Sequence, residues 1–284
     1  MRTLVAVGFA LAMLVSGCGS GDEGSPPPEP TSTPSTAAPE AVDTDPWPAP
    51  LEDEHQLWTV RVVDRLPHDP AAFTQGLEFT DFGLLEGTGR RGESTLRSVS
   101  PNTGAWSIQH ELDDDYFGEG ITQSGDEIIQ LTWQAGIALR YDARTLEPLA
   151  TSSYEGEGWG ICSGLTGLWM SNGTAELTRR DAVTFSPLET VTVRRDGSSI
   201  DNLNELECIG DHVVANVWKS NEILVIEPAT GAVLATIDAG ELSNEIGPTE
   251  EVAVLNGIAD MGDGTLLLGG KLWPTFFVVE VVTG

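Results

Sequence analysis

The stretch from Phe117 to Gly120 sets one carboxylate, Glu119, between two glycines, with an aromatic ring two positions earlier. Side chains alternate faces along an extended chain, so Phe117 and Glu119 fall on the same face. Glycine on either side strips away the neighbouring side chains and lets a ligand or another strand approach the backbone closely. A ring and a carboxylate side by side suit a binding or catalytic site. The plain alternative is a tight turn whose glutamate is simply solvated, and four residues alone do not separate the two. The rest of the chain does.

Four further segments resemble this one. Phe73-Thr-Gln-Gly-Leu-Glu-Phe79, Gly158-Trp-Gly-Ile-Cys162, Asn204-Glu-Leu-Glu-Cys208 and Leu255-Asn-Gly-Ile-Ala259 each lead from small or polar residues into an apolar strand. With Phe117–Thr122 they recur roughly every 45 residues, a period that marks repeat architectures. After each comes a second apolar run, such as Glu127–Leu131 or His212–Asn216. Turn-forming tetrads follow at Ser100–Gly104, Asp142–Thr145 and Glu227–Gly231 and separate a third strand from a fourth. No long stretch carries the 3.6-residue period of a helix.

Four strands per repeat, five times over, predicts an all-β fold: a five-bladed β-propeller with four-stranded blades. The last repeat holds only three strands, ending at Phe276–Val282. The spare strand Trp58–Val63 lies before the first repeat and would complete the last blade. In such a fold the five shared segments converge on one axis. Glu119 then shares a cavity with Gln75, Trp159 and Asn204.

The first residues read differently. Residues 1–17 have Arg2, an apolar run from Leu4 to Val15 and the small pair Ser16-Gly17, the order of a secretory signal. Leu14–Cys18 resembles the lipobox of bacterial lipoproteins, which implies lipidation at Cys18. Residues 18–55 form the expected tether: from Gly19 to His55 there are nine of the 17 prolines, nine acidic residues, and no Lys or Arg. Such a segment buries too little apolar surface to offset its ordering entropy. The folded part, residues 56–284, is then a catalytic or binding domain held at the outer face of the membrane by lipid alone.

The net charge of −30 argues against nucleic acid, because phosphate binding needs a basic patch. There is no CxxC motif or histidine cluster to hold zinc. Only two lysines occur, Lys219 and Lys271.

Taken in order, Phe73–Leu77, Phe117–Gly120, Leu131-Thr-Trp133, Gly158-Trp-Gly160, Asn204–Glu207 with Ala215–Trp218, Leu255–Ala259 and Gly270–Pro274 resemble the plant-type glutaminyl-peptide cyclotransferases. The resemblance runs from about Gln56 to Gly284. It implies a five-bladed propeller and an enzyme that turns the N-terminal glutamine of peptides or proteins into pyroglutamate with loss of ammonia. It also implies no catalytic metal and no cofactor. The family's catalytic glutamate falls on Glu119. Its pocket residues fall on Phe73, Gln75, Phe117, Trp133, Trp159, Asn204, Trp218 and Lys271. The chain departs from the family pattern at Cys162, at Cys208 and over Gly89–Glu93.

On this reading Glu119 is the general acid and base, with a pKa raised by aromatic walls. Lys271 stabilises charge on the amide oxygen or pairs with Glu119. Gln75 and Asn204 hold the substrate by hydrogen bonds, and the tryptophans exclude water. Trp58, Trp106 and Trp169 are expected in blade packing, and Lys219 in a solvated loop. Glu205, Glu207 and Asp260 lie near the axis, where a structural cation is conceivable. Cys162 and Cys208 sit at matching depth in consecutive repeats, so they are candidates for a disulfide and could equally stay reduced. The protein is expected to be a monomer. The rival reading is a propeller that only binds peptides or glycans. A glycan hydrolase would want two facing carboxylates.

Overall fold

The computed structural model describes residues 46–49, 51, 54–247 and 253–284. The expected signal, Cys18 and most of the tether lie outside those residues. Apart from one short helix, the regular structure of the described residues is all strand. A long strand β1 (Gln56–Pro67) comes first. A four-stranded unit follows, β2 (Thr74–Thr80), β3 (Gly83–Thr88), β4 (Thr95–Val99) and β5 (Trp106–Glu111). The second unit is β6 (Gly118–Ser124), β7 (Glu127–Thr132), β8 (Ile137–Asp142) and β9 (Pro148–Ser153). The third is β10 (Ile161–Gly164), β11 (Gly167–Ser171), β12 (Glu176–Arg180) and β13 (Pro187–Thr192). After a short hairpin, β14 (Arg194–Arg195) and β15 (Ser198–Ser199), comes a fourth: β16 (Leu203–Ile209), β17 (His212–Val217), β18 (Glu222–Glu227) and β19 (Ala232–Asp238). The seven-residue helix α1 (Gly240–Ile246) leads to β20 (Leu255–Asp260), β21 (Leu266–Gly270) and β22 (Thr275–Thr283).

Each unit is an antiparallel meander. The first three are separate sheets, whereas β1 pairs antiparallel with β22 and parallel with β19, fusing the rest into one ten-stranded sheet. The first strands of the units touch in the order β2, β6, β10, β16, β20 and back to β2. This is a propeller-like arrangement.

The packing explains why neighbouring strand residues are both apolar. Leu84 packs toward the last unit, with Ala259, Leu267 and Phe276, while Leu85 packs toward the second, with Ile121 and Ile128. Likewise Ile128 faces the first unit and Ile129 the third. A strand buried on both faces reads as a continuous apolar run rather than an alternation. Each such side chain contributes roughly 1.5–3 kcal/mol.

Near the axis the units approach too closely for side chains. The amide of Gly120 donates to Trp159 O at 2.8 Å. A β-carbon on Gly120 would meet Gly160 Cα and Ile161 N at 2.9 Å. One on Gly160 would lie 2.1 Å from Asn204 O. Gly76, Gly120 and Gly160 are therefore there for contact between strands.

The turns follow the tetrads. Asp142 Oδ1 accepts from the amides of Arg144 and Thr145, and Asp181 Oδ1 does the same for Val183 and Thr184. The third unit thus has the turn of the second. Trp58 and Trp169 are buried in packing as expected. Trp106 is not: it lies on the edge strand β5, 45% exposed, with the Arg97 guanidinium 4.8 Å from its ring. Trp47, within the stretch read as tether, stacks on Trp58 at 5.8 Å. Cys162 and Cys208 form a disulfide joining β10 to β16.

Gly160→Ala is expected to lower the urea midpoint by an amount worth about 1–3 kcal/mol, the usual penalty for forcing a methyl into a packed site. An unchanged midpoint would show that the axis has room to spare.

Candidate active site

The nine residues Phe73, Gln75, Phe117, Glu119, Trp133, Trp159, Asn204, Trp218 and Lys271 line one cavity of about 390 Å³. They come from all five units, spread over most of the folded sequence. Gln75, Glu119 and Asn204 lie at the starts of β2, β6 and β16. Trp133, Trp218 and Lys271 follow the ends of β7, β17 and β21.

One backbone device sets the second group in place. The residue after the second strand donates its amide to the carbonyl of a residue just before the first strand. Trp133 donates to Phe117, Trp218 to Asn202 and Lys271 to Val254, each at 2.9 Å. Gly89 does the same with Phe73 at 2.8 Å. A β-carbon on Gly89 would lie 2.4 Å from the Phe117 ring, so glycine here makes room for that ring.

The walls are aromatic and meet edge to face. Phe117 lies 6.0 Å from Phe73 and 5.7 Å from Trp133, and Trp159 lies 5.6 Å from Trp218. Glu119 is 4% exposed at the base. Burial raises its pKa well above the usual carboxylate value; Lys271 opposes this and Glu157 adds to it. Lys271 is equally buried, and desolvation lowers its pKa to about 8 while Glu119 works the other way. No direct ion pair joins the two among the described residues. The attraction between the two charges opposes each shift without a direct pair, and desolvation outweighs it.

Gln75 Nε2 donates to Glu119 Oε1 at 3.2 Å, and Asn256 Nδ2 donates to Gln75 Oε1 at 3.3 Å and to Thr74 O at 3.0 Å. That chain orients the Gln75 amide toward the carboxyl. Asn204 is 1% exposed, and its Nδ2 has no hydrogen-bond partner among the described residues. An unpaired buried donor costs about 1–3 kcal/mol, which a ligand acceptor would recover.

Two contributors were not singled out from sequence. Asn256 belongs to one of the repeated segments but had no role assigned. Glu157 was missed altogether. Its Oε2 accepts from Trp133 Nε1 at 2.7 Å and Trp159 Nε1 at 3.0 Å, and its Oε1 from Gln134 Nε2 at 3.0 Å. Burial pushes its pKa up, but these donors outweigh that and hold it below the usual value. One carboxylate so fastens two walls from different units. Its only sequence signal was an acid two residues before Trp159.

Glu205 and Glu207 lie outside the cavity. Each bonds to the backbone of β20: Glu205 Oε2 accepts from Ile258 N at 3.0 Å and Glu207 Oε1 from Asp260 N at 3.1 Å. Desolvation raises both pKa values well above the usual. No group of three or more metal-ligating side chains occurs among the described residues.

The fold and the site together define an all-β, propeller-like protein with an aromatic pocket closed over a carboxyl and an ammonium. A PQQ-bound aldose sugar dehydrogenase from Streptomyces coelicolor, 13% identical, shares the fold alone (TM-score 0.55; 82% of this chain, 99% of that one). Residues 33–281 match the glutamine cyclotransferase family, and the chain belongs to it. It is 36% identical to the glutaminyl-peptide cyclotransferase of Arabidopsis thaliana, over 81% of this chain and 74% of that protein. It is 33% identical to the glutaminyl cyclase of Myxococcus xanthus, whose crystal structure matches with a TM-score of 0.75, over 81% of this chain and 100% of that one.

Glu157→Gln keeps an oxygen for the two indoles but removes the charge that raises Glu119. The Glu119 titration, followed by carboxyl-carbon NMR, is expected to move to lower pH. An unmoved midpoint would mean that Glu157 does not act on Glu119.

Proposed function

We propose that this protein is a metal-independent glutaminyl-peptide cyclotransferase, built on five blades, with Glu119 as its proton-transfer group. The observation that carries the reading is a buried carboxyl of raised pKa sharing a family-type pocket with Lys271 and the unpaired Asn204 amide. The five-bladed count is supported by the ring of first-strand contacts and by β1 acting as fourth strand beside β22.

The substrate's N-terminal glutamine enters between the rings. Its α-amine attacks the side-chain amide carbon, forming the ring C–N bond. Ionised Glu119 takes the proton that the amine nitrogen gives up. It then returns that proton to the amide nitrogen as the C–N bond breaks, and ammonia leaves. One proton is moved and none is consumed. A carboxyl whose pKa lies close to the working pH serves both steps. Lys271, cationic below about pH 8, stabilises the negative charge on the amide oxygen. Asn204 and Gln75 position the reacting groups at near-attack distance. The aromatic walls keep water from competing. The lining offers one carboxylate, one amine, amides and rings, a donor set poorly suited to a catalytic metal.

The same reading has the protein exported and anchored at the outer face of the membrane through Cys18. The signal-like residues 1–17 support it, and the Cys162–Cys208 disulfide suits an oxidising compartment.

The test is turnover of a short glutamine-initiated peptide, followed by ammonia release and mass loss in the presence of a chelator. Activity is expected to survive chelation and to fall by about 10²–10⁴ in Glu119→Gln. Peptide binding without turnover above the spontaneous rate would leave a binding protein in place of an enzyme. Loss of activity on chelation would refute the metal-free mechanism.

A further inference from the structure

We propose that Arg90 and Arg91 make the pocket mouth a carboxylate-selecting subsite, favouring substrates with an acidic side chain directly after the reacting glutamine. This rests on the cyclotransferase reading and extends it to the second substrate position. Both arginines lie in the turn between β3 and β4, within the stretch that departs from the family pattern.

The turn is fixed at both ends. The Gly89 amide donates to Phe73 O at 2.8 Å, and Arg90 O accepts from Glu93 N at 3.0 Å and Ser94 Oγ at 2.7 Å. Arg90 itself holds a φ of 81°, a conformation that non-glycine residues seldom adopt. The turn sets two guanidinium groups on pocket walls. Arg90 Cζ lies 4.6 Å from the centroid of Phe73, and Arg91 Cζ lies 5.8 Å from that of Trp133. Lys219 Nζ lies 4.9 Å from the ring centroid of Trp218, another of the cavity's walls.

What these arginines lack is informative. Acidic residues outnumber basic ones by 44 to 14 in this chain. Arg61, Arg65, Arg97, Arg140, Arg179 and Arg195 all pair with carboxylates. Among the described residues Arg90 and Arg91 form no ion pair, as is also true of Arg144, Arg180 and Arg194, but Arg90 and Arg91 are the two arginines that rest on rings lining the cavity. Arg91 makes only long bonds, to Asp115 O at 3.4 Å and Gln134 Oε1 at 3.5 Å. Nearby carboxylates do exist. Glu93 and Asp113–Asp115 are exposed beside the turn, while Glu157 is already engaged by three N–H donors. A guanidinium that rests over a ring without an ion-pair partner has N–H donors left to offer a bidentate carboxylate. Each substrate residue advances the chain by about 3.3–3.6 Å, so the residue after glutamine leaves the pocket at this rim.

The test compares C-terminally amidated peptides Gln-Glu-Ala, Gln-Ala-Ala and Gln-Lys-Ala on the full chain. The glutamate peptide is expected to exceed the lysine peptide in kcat/KM by about fivefold to tenfold at low salt, mainly through KM, with the gap closing as salt rises. Arg91→Gln, at an exposed position, is expected to shrink that ratio, and Arg91→Glu to reverse it. Equal rates for the two charged peptides, or a ratio unmoved in both variants, would overturn the proposal. Failure to cyclise even the alanine peptide would sink the cyclotransferase reading instead. Quenching of the pocket tryptophans by the same peptides would then still read the charge preference, and its absence would overturn the subsite.

Discussion

Everything at the centre of this protein depends on how closely the first strands of the units approach one another. Gly120 and Gly160 allow backbone to meet backbone where any β-carbon would collide. The Gly120 amide thereby reaches Trp159 O, tying the glutamate's strand to the tryptophan's segment. Residues from five distant stretches of sequence are gathered on one cavity because those strands converge. The apolar pairs behind them, Leu84 with Leu85 and Ile128 with Ile129, wedge each unit between two neighbours and hold the convergence in place.

That rigidity makes an unfavourable site tolerable. Burying a carboxyl and an ammonium in an aromatic pocket opposes folding unless each is neutralised or satisfied. Here Glu119 responds with a raised pKa and Lys271 with a lowered one, so burial favours the neutral form of each. Gln75, backed by Asn256, supplies the one hydrogen bond to Glu119 seen among the described residues. Glu157 contributes from the wall, at once fastening two indoles and adding charge that discourages ionisation of Glu119. Structural and electronic roles coincide in that single side chain.

Much of this was legible in the sequence because the fold repeats. A strand pattern seen five times is far stronger than one seen once, and it located β2, β6, β10, β16 and β20 together with their partners. The separate strand at Trp58 was readable because the last repeat was one strand short. Other features had no such redundancy. The parallel pairing of β1 with β19 joins two units by backbone alone and leaves no side-chain signature. Helix α1 has only seven residues, too few for a helical period to emerge. Trp106 reads as a core residue by type, yet it sits on an edge strand, where Arg97 covers one face of the ring. Glu157 escaped notice because its importance lies in two indole N–H groups that only the folded chain brings together. Trp47 sat among prolines and acids, and composition there outweighed a single aromatic residue.

Catalysis by this pocket turns on the protonation of Glu119. The most direct measurement is an infrared difference spectrum between the wild-type protein and Glu119→Gln, recorded through the carboxyl-stretch region from pH 4 to pH 8. A protonated-carboxyl band that belongs to Glu119 and persists well above the ordinary carboxylate range is the predicted result. A Glu119 already ionised at pH 5, with only a carboxylate band lost in the variant, would contradict it. The pocket would then hold a fixed anion rather than a proton carrier.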